Sequence, residues 1–368
     1  MTERAIRVLF LTRYPVEGAS SRYRVFQYIP YLASHGVEAT VQSFMNTPMY
    51  HLSLGSGNTI AKILATLRAT VHRLWALRKW RHYDALYLQR ELLPFGRPVI
   101  EGWLKTRGAV LFFDYDDALF IKKPSRYNWI ATALRSGDKT RKLFRLVHCV
   151  VAGNNWLRDA AVEAGALRAV TLEVAEDTAR IPMHTPHSND APVTIGWLGS
   201  PSTVKYLNFI EPALQAIAQK NPHVRWEIMG GKEFTMDGIN WTLTDWSLDH
   251  ELAALARFDI GLMPLPPEDW ARGKSGGKAR TYMAAGVVPV VADIGYNREL
   301  IRHGETGFLC ETLDDWESHL SKLIESAELR QRIAHAARNE VEQRFAPATI
   351  AHDLALLLKQ VIDDVKTH

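Results

Sequence analysis

Apolar runs and amphipathic stretches alternate along most of the chain, and their periods predict its elements. IRVLFL (6–11), a Gly/Ser loop, the stretch RYRVFQYIPYLASHG (22–36) and VEATVQSF (37–44) read as strand, helix and strand. YDALYLQ (83–89), AVLFFDYDD (109–117) and HCVVAGN (148–154) are apolar runs ending in polar or small residues, as strands buried on both faces of a parallel sheet do. A proline- and histidine-bearing segment, RIPMHTPHSNDAP (180–192), breaks the periodicity and reads as a linker. The pattern then restarts with VTIGWLGS, a helix over 204–219, VRWEIMGG, a helix over 249–257, FDIGLMPLP, KSGGKARTYMAAG, VVPVVAD and amphipathic helices to the end. The expected fold class is therefore α/β, with two doubly wound Rossmann-like domains facing across a cleft. Their expected extents are residues 1–185 and 186–345, followed by a C-terminal helix over 346–368.

A length of 368 residues agrees with two domains, and 47% hydrophobic with 23% charged residues suffices for ordinary cores. Cys149 and Cys310 are the only cysteines, in no C-x-x-C spacing, so neither a disulfide framework nor a zinc site is expected, and a cytoplasmic setting is expected. No eighteen consecutive residues are apolar, so no membrane span is expected. The net charge of +4 conceals an asymmetry: residues 1–190 carry +10 and residues 191–368 carry −6. Part of the excess lies in residues 59–82, where Ile60, Ile63, Leu64, Leu67, Val71, Leu74, Trp75 and Leu77 alternate with Lys62, Arg68, Arg73, Arg78, Lys79 and Arg81. A basic amphipathic helix of this kind either packs on its own domain or lies on an anionic membrane, and the charge of this half favours the membrane. Nucleic acid is not expected, because no reader motif accompanies the charge.

Two turns carry candidate chemistry. The strand VTIGWLG ends at Gly199 and Ser200 and is followed by Lys205, so backbone N–H groups and a helix start are offered to an anion. Alone, such a turn equally well just joins two elements. The second is KSGGK (274–278), where Lys274 and Lys278 bracket Ser275, Gly276 and Gly277 at the mouth of a helix. Either lysine alone would suit a solvated turn. Both turns together favour a diphosphate, whose two or three negative charges match this many donors. In the first half, Asp114, Asp116 and Asp117 crowd the end of a strand, an arrangement that is unfavourable without a cation or hydrogen-bond donors, Arg22 and Arg24 being candidates.

The stretch DIGLMPLPPEDWARGKSGGKARTYMAAGVVPVVADIGYNRELIRHGETGFL (259–309) resembles the donor-binding segment of family 4 (group 1) retaining glycosyltransferases. DDWESHLSKLI, ARNEVEQRFA, ASSRYRVFQYIPYL, LYLQRELLP and FFDYDDALF extend the likeness over most of the chain. The resemblance implies the GT-B fold, a donor bound mainly by the second domain, an acceptor bound mainly by the first, and a last helix crossing back. It implies that Ser275, Gly276 and Gly277 meet the sugar and diphosphate, that Lys205 is the basic residue for the diphosphate, and that Ser21, Arg22 and Arg24 lie on the acceptor side. Asp116 and Asp117 fall near the reacting sugar and are the catalytic candidates. Gly273 and Thr281 stand where many members carry two glutamates eight positions apart, leaving Thr281 to offer the ribose one hydroxyl. D-Y-D also resembles the metal motif of the other glycosyltransferase fold, but the phosphate-binding features lie after the restart of the pattern, so no metal is expected.

The expected function is transfer of a sugar from a nucleotide diphosphate donor, as co-substrate and without further cofactor, to a glycan or lipid-linked acceptor in surface polysaccharide assembly. The enzyme would be peripheral on the inner face of the cell membrane. A nucleotide-sugar epimerase on the same architecture and a non-catalytic sugar-nucleotide-binding scaffold are the alternatives.

Overall fold

A computed structural model describes residues 4–55, 57–121, 137–188, 190–231 and 233–367. It divides into two units, one of residues 1–175 with 347–368, the other of residues 176–346.

The first unit holds β1 (Ile6–Thr12), β2 (Val37–Ser43), β3 (Ala85–Gln89), β4 (Leu111–Tyr115), β5 (Cys149–Ala152) and β6 (Ala169–Thr171). They form one sheet in the order β2-β1-β3-β4-β5-β6, and every pairing is parallel. β3, β4 and β5 are buried along their whole length, which is why their sequences are continuous apolar runs rather than alternating ones. The last helix, Pro347–Thr367, belongs to this unit: Ile350, Leu354, Leu358 and Val361 pack with Val8, Phe10, Tyr28 and Leu32. Residues 327–367 are long and apolar enough on average to cross a membrane, yet these side chains are core.

The stretch 22–36 is not the single helix its period predicts. A π-helical turn, Arg22–Phe26, leads to a short α-helical turn, Ile29–Leu32, with Pro30 at its start, and a 3₁₀ turn, Ala33–His35. Proline cannot continue the ladder of the preceding turn, and the π turn carries Arg24 into the core toward β4.

The second unit holds β7 (Thr194–Leu198), β8 (Arg225–Met229), β9 (Trp241–Thr244), β10 (Ile260–Met263), β11 (Val288–Ala292) and β12 (Phe308–Cys310), in the order β12-β11-β10-β7-β8-β9, all parallel. Successive residues point to opposite faces: Trp197, Leu262 and Val290 enter one core, while Leu198, Met263 and Val291 enter the other. The strand order reverses between β7 and β10, and such a switch point opens a crevice at the carboxyl ends of the strands. The expected helix over 204–219 opens as a 3₁₀ stretch, Val204–Ile210, and becomes α-helical at Glu211–Lys220, where Pro212 sits in the first turn.

The units divide at Ala175 and Glu176 rather than at residue 185. Residues 176–187 are a strap on the second unit, not a free linker. The Glu176 N–H donates to the Phe345 carbonyl, the His184 N–H donates to the Ala285 carbonyl, and Arg338 donates to the carbonyls of Thr178 and Ile181. A segment without regular structure of its own satisfies its backbone on neighbouring elements in this way.

Candidate functional site

In the second unit β7 delivers Gly199 to the switch point. A side-chain carbon at Gly199 would lie 2.5 Å from the Trp197 ring and 2.7 Å from Cε of Lys278, so the absence of one lets the two turns meet. Lys278 Nζ stands 5.2 Å from the Trp197 ring. Ser200 is exposed beside Gly199, its hydroxyl 2.8 Å from that of Ser202. The structure therefore brings the Gly199 turn and KSGGK together.

The helix Gly277–Ala285 starts at this place, with Gly276 as its cap in the left-handed region (φ 65°). Its first N–H groups have no partner within the helix, and the positive end of its dipole adds to Lys278. The two glycines differ. A side-chain carbon at Gly276 would strike Leu300 at 2.7 Å, whereas one at Gly277 meets nothing within 4 Å. Gly277 borders open space, and Gly276 serves the turn's own conformation. Lys278 is half-buried. Burial, followed by the charge of Lys274, lowers its ammonium to about 8. Lys274 Nζ lies 4.1 Å from the Trp270 ring, and Trp270 stands 6.1 Å from Tyr206, the neighbour of the exposed Lys205. The Ser275 carbonyl accepts from the Arg280 guanidinium at 3.1 Å.

Thr281 is not available to a ligand as expected. It is buried, and its hydroxyl donates to Glu176 Oε2 at 3.0 Å. Arg280, also buried, approaches the same carboxylate at 4.0 Å. A carboxylate does stand beside residue 281, brought there from the strap rather than from the helix. No sequence pattern links positions 105 residues apart, so Glu176 was not singled out. Gly273 ends the short helix Asp269–Arg272.

In the first unit the carboxyl ends of β3 and β4 gather a second cluster. Asp116 accepts from the Ser20 hydroxyl at 2.8 Å, and Ser20 accepts from Gln89 Nε2 at 3.0 Å. Arg90, the residue after β3, donates to Asp117 at 3.0 Å and stands 3.7 Å from Asp116. Burial disfavours the Arg90 charge, but Tyr14, Asp116 and Asp117 together outweigh it and raise its pKa. Arg90 holds a left-handed backbone (φ 66°), uncommon for a side chain of this size and of a kind that collects at functional sites. Asp116 is 17% exposed and Asp117 32%, so both can still reach a ligand.

Of the acceptor-side candidates, two are structural. Arg24 and Asp114 form an ion pair with both side chains fully buried, and Tyr87 also donates to Asp114 at 2.7 Å. Ser21 is buried, donating to Gln89 Oε1 at 2.7 Å and accepting from the Tyr14 N–H. Arg22 is buried with its guanidinium on the Glu17 carbonyl at 3.4 Å. Among the described residues, Ser20 and Arg90 rather than Arg22 or Arg24 bond Asp116 and Asp117. Ser20 and Arg90 lie in sequence blocks that carry the resemblance, but only the fold shows that they face the aspartates.

Residues 192–326 match the family model described as glycosyl transferases group 1. Among solved structures, HepE from Anabaena in complex with UDP and glucose is similar at a TM-score of 0.68 and 18% identity, covering 96% of this chain and 100% of that one. HepE has also been solved with UDP-glucose. Sucrose-phosphate synthase from Thermosynechococcus elongatus is similar at 0.68 and 13%, covering 98% and 100%. A glycosyltransferase from Rickettsia africae is similar at 0.67 and 14%, covering 98% and 99%. No curated protein sequence matches the chain. The fold is GT-B, and residues 192–326 of the second unit are similar to group 1 glycosyl transferases.

Proposed function

We propose that this protein is a group 1 glycosyltransferase, a retaining enzyme that moves a sugar from a nucleoside diphosphate donor to a glycan or lipid-linked acceptor in surface polysaccharide assembly. The observation that carries the donor assignment is the packing of Gly199 against Lys278 at a free helix N-terminus, with Lys274 one turn away. Glycine backbone, helix dipole and two ammonium groups converge there, and a diphosphate supplies the matching charge. As the glycosidic bond breaks, negative charge grows on the departing phosphate oxygen, and Lys278 with the helix N–H groups neutralises it. In a retaining reaction without a covalent intermediate, the acceptor hydroxyl attacks the face from which the diphosphate leaves. Asp116 is assigned to orient that hydroxyl, with Ser20 and Arg90 fixing its carboxylate.

The fold neighbours that bind UDP and UDP-glucose make uridine donors the first to test. Thermal stabilisation by a panel of nucleotide sugars should single out one donor, and the product's anomeric configuration by NMR should match the donor's. Asp116→Asn should lower turnover at least tenfold with little change in donor affinity. An inverted product removes the retaining assignment, and binding without turnover on any acceptor favours a scaffold.

We further propose that the first unit docks on an anionic bilayer through the helix Thr59–Leu77. Its buried face consists of Ala69, Arg73 and Leu77, whereas Ile60, Ile63, Leu64, Leu67, Val71, Leu74 and Trp75 are between 41% and 76% exposed. The apolar stripe therefore points away from the core, with exposed Arg68, Arg78, Lys79 and Arg81 beside it. That combination suits acyl chains below and anionic headgroups around the helix, each basic residue contributing about 1 kcal/mol. Arg73 is not part of this surface. It is buried, donates to the Thr12 carbonyl at 2.6 Å, and is lowered to about 9 by burial and then by Arg13. Sedimentation with phosphatidylglycerol vesicles but not with phosphatidylcholine vesicles is expected, and Arg68, Arg78, Lys79 and Arg81 changed to Glu should abolish it. A wild-type chain that ignores anionic vesicles at low salt rules the surface out.

A further inference from the structure

At the amino-terminal end of the second sheet's central strands, three ligand-type side chains converge. Asp259 immediately precedes β10, and His184 and His187 come from the strap. His187 Nδ1 lies 2.9 Å from Asp259 Oδ2, and His184 Nε2 lies 3.6 Å from Asp259 Oδ1. One ligand atom from each residue falls within 4.8 Å of the others. Asp259 is fully buried and His184 is 11% exposed. The N–H groups of Thr194 and His187 donate to the two carboxylate oxygens at 2.8 and 2.6 Å and fix their direction. Among the described residues His184 Nε2 is buried with no hydrogen bond within normal distance, and the Asp259 carboxylate faces it at 3.6 Å. The 3.6 Å gap to Asp259 Oδ1 is longer than a good hydrogen bond, so the carboxylate compensates the burial of this nitrogen only in part.

We propose that His184, His187 and Asp259 bind one Zn²⁺, with water as a fourth ligand, as a structural clasp that pins the strap to the foot of β10. Metal–ligand bonds of about 2.0–2.2 Å in a tetrahedron place ligand atoms about 3.3–3.6 Å apart, so the 2.9 and 3.6 Å histidine–aspartate separations lie near that spacing, and the histidine pair, within 4.8 Å, closes by at most about 1.5 Å. Two imidazoles and one carboxylate select zinc or cobalt over calcium or magnesium, which take oxygen ligands. The backbone donors on Asp259 orient the ligand as outer-shell groups do in zinc sites. Arg330 approaches the cluster but spends its guanidinium on the carbonyls of His187, Leu323 and Ile324 rather than on Asp259. The clasp is not catalytic. Asp259 lies at the amino-terminal end of its strand, whereas Gly199 and Lys278 gather at the carboxyl end of the sheet, about 13 Å away at 3.3 Å per residue.

The test uses the full chain, stripped with chelator and titrated with ZnCl₂ or CoCl₂ near pH 7.5. One equivalent of cobalt should bind with the visible absorption of tetrahedral coordination, and zinc should displace it. Zinc should also raise Tm by several degrees. His184→Ala and His187→Ala should each weaken binding by at least about a hundredfold, since outer-shell losses alone reach that range. His187 is 36% exposed, so its variant is expected to fold, and circular dichroism checks both. Metal-stripped protein should keep its transfer rate at 25 °C while melting earlier. Absence of binding to the wild type at tenfold excess, or unchanged binding in either histidine variant, overturns the site.

Discussion

Replacing Lys278 with alanine is expected to lower kcat about a hundredfold, the effect of removing one preorganised donor from a developing anion. Lys278 sits beside the first turn of the Gly277–Ala285 helix and against Gly199, so its charge and the helix N–H groups address the same point. The charge on the leaving oxygen exists in full only as the bond breaks, so the loss falls on turnover more than on donor affinity. Lys274→Ala should show the reverse, a raised donor KM, because its ammonium is held over Trp270 farther from the helix start. The pH dependence follows from the lowered value of about 8. The bare site holds the Lys278 proton below about pH 8 and loses it above, while bound diphosphate favours the charged form. Donor Kd should therefore be flat near pH 7 and rise toward tenfold per unit above pH 8, with that rise gone in Lys278→Ala. Folding stability runs the other way. The unfolded chain keeps the proton up to 10.5, so this lysine's contribution to stability grows as pH rises from 8 to 10.5. Calorimetric donor titration with steady-state kinetics decides the matter. Wild-type turnover and an unchanged pH profile in the variant would remove Lys278 from the donor site.

What the sequence disclosed follows from what local pattern encodes. Strands buried on both faces are continuous apolar runs, so β1, β3, β4, β7, β10 and β11 were all legible, as was the restart of the pattern near residue 192. KSGGK and the Gly199 turn were legible as anion-binding chemistry because glycine, lysine and a helix start leave a local signature. Pairings at long separation leave none. Glu176 with Thr281, Arg90 with Asp117 and His187 with Asp259 all depend on which strand lies beside which. The strap was misread as a linker because its order comes from backbone hydrogen bonds to other elements, which proline and histidine content does not reveal. The same limit explains Arg73. On a helical wheel it joins the basic face, yet the helix turns its apolar stripe outward and sends Arg73 into the unit. Period fixes which residues share a face, and only packing decides which face is inside.

The second large effect concerns stability and separates Arg24 from the acceptor chemistry once expected of it. Arg24→Met should destabilise the first unit by about 3–5 kcal/mol, the range for breaking a buried ion pair and stranding one charge. In a unit of this size that is a fall in Tm on the order of 10 °C. Asp114 would keep Tyr87 as a donor but lose the Arg24 guanidinium, whose Nε bonds both carboxylate oxygens at 3.1 Å and whose Nη2 bonds Oδ2, at a fully buried position. Burial already raises Asp114 above the usual carboxylate range against the opposing pull of Arg24, and removing Arg24 raises it further. The sign of the pH dependence is then fixed. A carboxyl whose folded pKa exceeds its unfolded value gains relative stability as pH falls through the folded pKa, so the penalty in Arg24→Met should shrink between pH 7 and pH 5. Asp114→Asn added to Arg24→Met should recover much of the loss, because a neutral amide can accept from Tyr87 without a buried charge. Asp116→Asn, at a partly exposed carboxylate, should leave the stability within about 0.5 kcal/mol of wild type. Thermal melts of the four proteins at both pH values make the comparison. A stable but inactive Arg24→Met would return this arginine to the acceptor side, whereas an unstable one rescued by its partner's neutralisation makes it the internal strut of β4, holding the strand whose far end presents Asp116.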